Sequence, residues 1–243
     1  MDSDGSTLIV GATLEDSAGR GVNANQDDNS ALSAGAAYLF TRNENTWTQQ
    51  AYLKASNADA GDYFGTAVSI SGDGLTIAVG ADEEGSRSSG INGDETLNDW
   101  SNAGAAYVFT KTGNTWQQQA YIKASNTLPS SLKFFGESLS LSDDGNTLAV
   151  GASSDSSNAT GINGDETSTS ASSSGAAYIF TRTGTVWSQE AYIKASNTEE
   201  QDDFGNEISL SGDGSTLAVA APLEDSSSLG IDGDQTNNSA NRA

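Results

Sequence analysis

The chain has 243 residues, 35% of them hydrophobic, with no cysteine, no histidine and a formal net charge of −23. Without Cys or His it has no thiolate nucleophile, no Ser-His-Asp triad, no imidazole-bound zinc and no haem held through either residue. Ten Lys and Arg against 33 Asp and Glu leave no basic stripe for a phosphate backbone, which argues against nucleic acid as a partner.

Gly, Ser, Asn, Asp and Thr replace the missing apolar residues, and no long 3.6-residue apolar pattern occurs, so short strands and turns are predicted rather than helices. An acidic surface suits cation binding, solubility or a high-salt surrounding. No signal peptide or membrane span is present. The chain opens Met1-Asp-Ser-Asp-Gly-Ser-Thr, already inside a repeat, and is expected to be a piece of a longer one.

Taken in chain order, an Asp-Gly pair precedes each short apolar run. The pairs are Asp4-Gly5, Asp73-Gly74, Asp144-Gly145 and Asp213-Gly214, at intervals of 69, 71 and 69 residues. Each unit holds four strand-like segments. Segment A, Phe135–Ser142 in the third unit, alternates Leu139 and Leu141 with Ser138 and Ser140, the period of a strand with one buried face. Asp143-Asp-Gly-Asn then joins it to segment B, Thr147–Ala152, as a hairpin.

A loop of 22 residues follows B in every copy, at 13–34, 82–103, 153–174 and 222–243. Its constant length reflects either a functional constraint or recent duplication. Segment C, Ala176–Arg182, and segment D, Trp187–Ala195, complete the unit around another tight turn. Strict alternation along D puts Trp187, Ala191 and Ile193 on one face and Glu190, Tyr192 and Lys194 on the other.

The text of C and D stands three times, at Gly35 to Asn57, Gly104 to Asn126 and Gly175 to Asn197. Lys54, Lys123 and Lys194 recur in it, placed to pair with acids on a neighbouring strand. Tyr38, Tyr107 and Tyr178, with Trp47, Trp116 and Trp187, fit blade packing better than a row for stacking sugars. The strand count is thirteen, in the order B-C-D, A-B-C-D, A-B-C-D, A-B. A lone four-stranded sheet leaves its faces wet, and stacking copies about an axis covers them, so an all-β propeller of antiparallel meanders is predicted.

Phe64-Gly65, Phe135-Gly136 and Phe204-Gly205 open segment A, and Gly80-Ala81, Gly151-Ala152 and Ala220-Ala-Pro222 close segment B. These residues resemble the FG-GAP repeat, the blade unit of the integrin α-subunit head that also occurs in bacterial surface and secreted proteins. The resemblance implies a propeller of about seven blades, of which this chain is an incomplete portion. The division is a single repeat domain, 1–243, with a partial blade at 1–57, blades at 64–126 and 135–197, and a partial blade at 204–243. Three periods do not close a ring, so open sheet edges and self-association through them are expected.

Integrin-type repeats often carry an Asp-rich cation loop between A and B. Here that place holds only Ser71-Gly-Asp-Gly74, Ser142-Asp-Asp-Gly145 or Ser211-Gly-Asp-Gly214, too few oxygens for Ca²⁺, so Asp73, Asp144 and Asp213 read as turn residues. The long loops are the better place for a cation. Each carries an acid in register, Glu15, Glu84, Asp155 or Glu224, and the later loops a Gly-containing turn of hard oxygen donors. The candidate Ca²⁺ ligands are Glu84, Asn92, Asp94 and Glu95; Asp155, Asn163, Asp165 and Glu166; and Glu224, Asp232 and Asp234. The alternative is an Asx-rich loop that bonds its own backbone. Trp100, an unrepeated aromatic in a polar loop, is a candidate ligand contact.

No residue qualifies as catalytic. Glu190 is replaced by Gln50 and Gln119 in the other copies, so it forms no defined acid pair. The expected function is a non-enzymatic interaction module of a bacterial surface or secreted protein, with adhesion to a protein or glycan on the loop face. The alternative is an accessory propeller of a larger secreted enzyme.

Overall fold

The computed structural model describes residues 1–98, 102–127 and 133–240. Among them thirteen strands form four antiparallel sheets and no helix occurs. The first sheet is β1 (Thr7–Ala12), β2 (Ala36–Asn43) and β3 (Thr46–Leu53). The second is β4 (Val68–Ile70), β5 (Thr76–Ala81), β6 (Ala105–Thr112) and β7 (Thr115–Ile122). The third is β8 (Leu139–Leu141), β9 (Thr147–Ala152), β10 (Ala176–Thr183) and β11 (Val186–Ile193), and the fourth is β12 (Ile208–Leu210) with β13 (Leu217–Val219). Each sheet is a meander in sequence order, and the count and order are those the repeat predicts. The sheets follow one another as propeller-type blades, and none closes on itself.

Local chemistry makes the A–B hairpins. Asp144 Oδ1 accepts Ser142 Oγ at 2.6 Å and Asn146 N at 2.9 Å, and Asp73 and Asp213 repeat the pattern. Segment A pairs over three residues only, because its first half crosses to the preceding blade. Phe64, Phe135 and Phe204 form parallel bridges to Gly35, Gly104 and Gly175. The serines of A tie the inner strands together: Ser69 Oγ accepts Leu141 N at 3.0 Å, and Ser140 Oγ accepts Leu210 N at 2.9 Å.

The faces of segment D differ from the sequence expectation. Each C–D pair has a bulge, with register shifts between Leu39 and Phe40, Val108 and Phe109, and Ile179 and Phe180. Gln50, Gln119 and Glu190 are the extra residues. One inserted residue reverses the alternation beyond it. Trp116 and Tyr121 therefore pack into one core, with Tyr107 and Phe109, while Ala120 and Ile122 face the other. Trp187 accordingly shares its core with Tyr192, so the grouping of Trp187 with Ala191 and Ile193 is corrected.

Each core lies between two blades. Tyr107, Phe109 and Trp116 of the second sheet pack on Ile9, Leu39 and Leu53 of the first, and Tyr178, Phe180 and Trp187 of the third pack on Val108 and Ile122 of the second. The Phe of each Phe-Gly pair is the wedge: Phe64 lies edge-on to Tyr107 at 5.3 Å, and Phe135 to Tyr178 at 5.3 Å. Burying one such ring contributes about 2–3 kcal/mol, and each edge contact about 1 kcal/mol more. The strict aromatic places therefore serve packing, and no sugar-stacking row forms. Trp47, on the first sheet's outward face, is 40% exposed where Trp116 is 6%.

Candidate functional site

The long loop leaves strand B and returns across its own sheet's outer strand. Val22, Ile91 and Ile162 form antiparallel bridges to Leu53, Ile122 and Ile193. Asn92 follows at φ 53, a left-handed conformation that Asn tolerates. Its N donates to Tyr121 O at 2.7 Å and its Oδ1 accepts Tyr121 N at 3.0 Å. Asn163 does the same with Tyr192, so both residues pin the loop to a strand. Asp232, in register with them, has a similar φ of 57.

Beyond the pin, the carboxylates separate. Asp94, Asp165 and Asp234 are exposed or nearly so, and each turns back on its own loop, accepting N and Oγ1 of Thr96, Thr167 and Thr236. Glu95 instead accepts Ser56 Oγ of the preceding blade, and Glu166 accepts Ser125 Oγ at 2.6 Å. Gln235, in register with them, accepts Ser196 Oγ at 2.6 Å.

In the second and third copies the acid at the head of the loop is buried. Glu84 is 1% exposed and accepts Lys123 Nζ at 2.5 Å, Asn57 Nδ2 at 2.8 Å and Tyr121 Oη at 3.0 Å. Asp155 accepts Lys133 Nζ at 2.6 Å, Asn126 Nδ2 at 3.0 Å, Tyr192 Oη at 2.8 Å and Ser157 N at 3.0 Å. Glu15 accepts Lys54 Nζ at 2.8 Å, and Glu224 accepts Asn197 Nδ2 at 2.9 Å and Ser226 N at 3.0 Å. The repeated lysines thus pair with loop acids and not with acids on a neighbouring strand.

The residues singled out as cation ligands therefore hold three separate stations. Glu84, Asp155 and Glu224 are in the joint, Asn92 and Asn163 at the pin with Asp232 in register, and Asp94, Asp165, Asp234, Glu95 and Glu166 along the loop. Among the described residues no group of three or more acids gathers where it could hold a metal ion. Calcium asks for six to eight oxygens on one centre, and the described carboxylates are dispersed among these stations. Trp100 lies outside the described residues. The bulged Gln119 is also structural, its Oε1 accepting Trp187 Nε1 at 2.9 Å and Arg182 Nη1 at 3.1 Å.

Residues that the repeat text contained but sequence reasoning missed complete the joints. Asn57 and Asn126, of Ala-Ser-Asn, reach from one blade to the acid of the next, and Tyr107 and Tyr178 hold their Oδ1 atoms at 2.6 and 2.7 Å. The second residue before each segment A also differs in charge between joints: Asp62, Lys133 and Asp202 stand in register. The first joint holds two acids and one lysine (Asp62, Glu84, Lys123), and the second one acid and two lysines (Asp155, Lys133, Lys194).

The charge balance shows in the titration of these groups. Burial pushes Asp62 up to about 7, against the Asp59 N–H it accepts, with Glu84 adding repulsion. Burial would also raise Asp155, yet Lys133 and Lys194 hold it well below the usual carboxylate range, while burial brings Lys194 down to about 8. A carboxyl raised in the folded state stabilises most below its unfolded value of 3.8, and that stability is lost as pH rises through about 7. Asp62→Asn keeps an acceptor for Asp59 N and removes the charge. It is expected to exceed the parent at pH 8 by on the order of 2 kcal/mol, with the gap closing toward pH 4, in urea melts across that range.

Residues 47–109 and 187–238 match the FG-GAP repeat family. No curated protein matches the chain.

Proposed function

This is an FG-GAP repeat protein, and from that premise we propose that it is a non-catalytic interaction module whose ligand, a protein or glycan, binds the face where the long loops gather. One observation carries the reading: the frame is constant and its tips vary. The joint lysine (Lys54, Lys123, Lys194), the joint asparagine (Asn57, Asn126, Asn197) and the pin asparagine (Asn23, Asn92, Asn163) recur copy after copy, whereas two exposed loop positions hold a different residue each time. They are Ala18, Arg87, Asn158 and Ser227, and Arg20, Ser89, Thr160 and Leu229. A rigid frame presenting varied loops is how binding surfaces are built. An open cleft of about 460 Å³ beside one tip, lined by Arg20, Ser56, Asp59, Asp94 and Glu95, supplies concave polar surface for such a ligand.

Adhesion at a bacterial surface, outside the cell, follows from what FG-GAP repeats do elsewhere. No helix among the described residues is long and apolar enough to cross a membrane. The second reading, an accessory domain of a larger secreted enzyme, draws on the same frame. To separate them, the chain would be immobilised and probed with glycan arrays and cell-surface protein extracts, beside a variant with Arg20, Arg87, Asn158 and Thr160 changed to Ser. Binding by the parent that the variant loses, at equal melting temperature, supports recognition by the tips. Equal binding by both, or by neither, rejects it.

The frame itself is proposed to stand without a cation, because the joint acids are already matched by lysine, amide and hydroxyl donors. Melting temperatures in EDTA and in millimolar Ca²⁺ are expected to agree within about 1 °C. A rise of several degrees with Ca²⁺ would show a site that these donors do not reveal.

A further inference from the structure

Three polar side chains, Lys123, Glu84 and Asn57, meet at the first joint. Glu84 Oε2 accepts Lys123 Nζ at 2.5 Å, and Glu84 Oε1 accepts Asn57 Nδ2 at 2.8 Å. One carboxylate thus touches an amine and a primary amide at once. The amide oxygen, Asn57 Oδ1, accepts the Tyr107 hydroxyl at 2.6 Å. Lys123 and Tyr107 are wholly buried, and Glu84 and Asn57 nearly so, so water competes for none of these contacts.

We propose that Lys123 and Asn57 condense into an isopeptide bond, with Glu84 as the proton carrier, riveting the exit of the first sheet to the residue that follows β7 of the second. The Lys123 ammonium gives a proton to Glu84, and the neutral Nζ attacks Asn57 Cγ. The Tyr107 hydroxyl donates to Oδ1, where negative charge builds. Glu84 then protonates Nδ2 and takes the remaining proton from the attacking nitrogen. The Nζ–Cγ bond forms, the Cγ–Nδ2 bond breaks, and the amide nitrogen leaves as ammonia. No oxidant, metal or cofactor enters the balance. Burial favours the neutral amine, pulling Lys123 down against the opposing pull of Glu84, and fixed proximity supplies what solution lacks.

The second joint is a built-in control. Tyr178, Asn126 and Asp155 repeat the amide arrangement, but Lys194 Nζ is 3.6 Å from Asp155 Oδ1 and donates to Ser174 Oγ at 2.7 Å. Lys133 also occupies Oδ2 at 2.6 Å. Two cations keep this carboxylate ionised, so it does not take the proton the step needs, and Asn126 and Lys194 are expected to stay unlinked.

The test is the denatured intact mass of the purified full chain, expected about 17 Da below the sequence mass, the loss of one ammonia. Trypsin should then yield a branched peptide joining 55–87 to 112–133, with Lys123 uncleaved. Glu84→Gln, checked for retained β-structure by circular dichroism, should return to full sequence mass. A parent chain at full sequence mass overturns the proposal without reference to any variant. So does an ammonia loss with no branched peptide, such as succinimide at Asn92-Gly93, and a linked Glu84→Gln chain removes the acid from the step.

Discussion

In the unlinked joint, where the Lys123 ammonium is paired with Glu84, Lys123→Met is expected to cost about 3–5 kcal/mol of unfolding free energy. Methionine keeps most of the side chain's length, so the loss is chiefly that of the charge. It leaves the Glu84 carboxylate buried, with only the Asn57 amide and Tyr121 hydroxyl to satisfy it. Breaking a buried ion pair from one side exposes the remaining ion to the full penalty of its burial, whereas removing both charges is far cheaper. The double variant Lys123→Met/Glu84→Gln should therefore recover much of the loss, which a double-mutant cycle in urea would measure. Lys54→Met should cost less, because its partner Glu15 is 13% exposed at the side chain. A single-variant loss below about 1 kcal/mol would mean that the joint is wetter than its burial shows.

Gly80→Ala is expected to destabilise by about 3 kcal/mol or more. A Cβ at Gly80 would overlap the carbonyl oxygen of Gly136, across the boundary between the second and third blades. The obstacle is backbone, so no rotamer change relieves it. Gly136 has φ +96, and its own Cβ would overlap Ala105 O. The two glycines that name the motif thus face each other: the Gly of Gly-Ala on one blade admits the Phe-Gly turn of the next. Gly161→Ala is the comparison, since nothing lies within 4 Å of the added Cβ and only φ +70 opposes it, a penalty of about 1–2 kcal/mol. Thermal melts of the two variants should separate clearly. Similar losses would mean that conformational strain, and not the contact, governs both positions.

Much of the frame was legible in the chain. Segment B was read as Thr147–Ala152 and β9 spans those residues, because period-two apolar alternation and an Asp-Gly turn act over a few neighbours. Segment A was read too long, because Phe135 and Gly136 leave their sheet to bridge the preceding blade, a partner that local pattern does not reveal. The site was less legible. The loop acids were seen to recur in register, but their chemistry depends on what reaches them. Lys123 comes from 39 residues beyond Glu84 and Asn57 from 27 before it. The Ala-Ser-Asn text and the alternation of Asp62 with Lys133 were visible signals that could have been joined to those acids.

The sequence by itself determined the repeat, its thirteen strands and their order, since turn chemistry and side-chain alternation are short-range and need no partner. Tertiary structure alone decided which way the strands face beyond Gln119 and what the buried acids hold. A single bulged residue inverts every side chain after it. A carboxylate becomes a cation ligand or a blade fastener according to which donors, distant along the chain, are brought against it where water is absent.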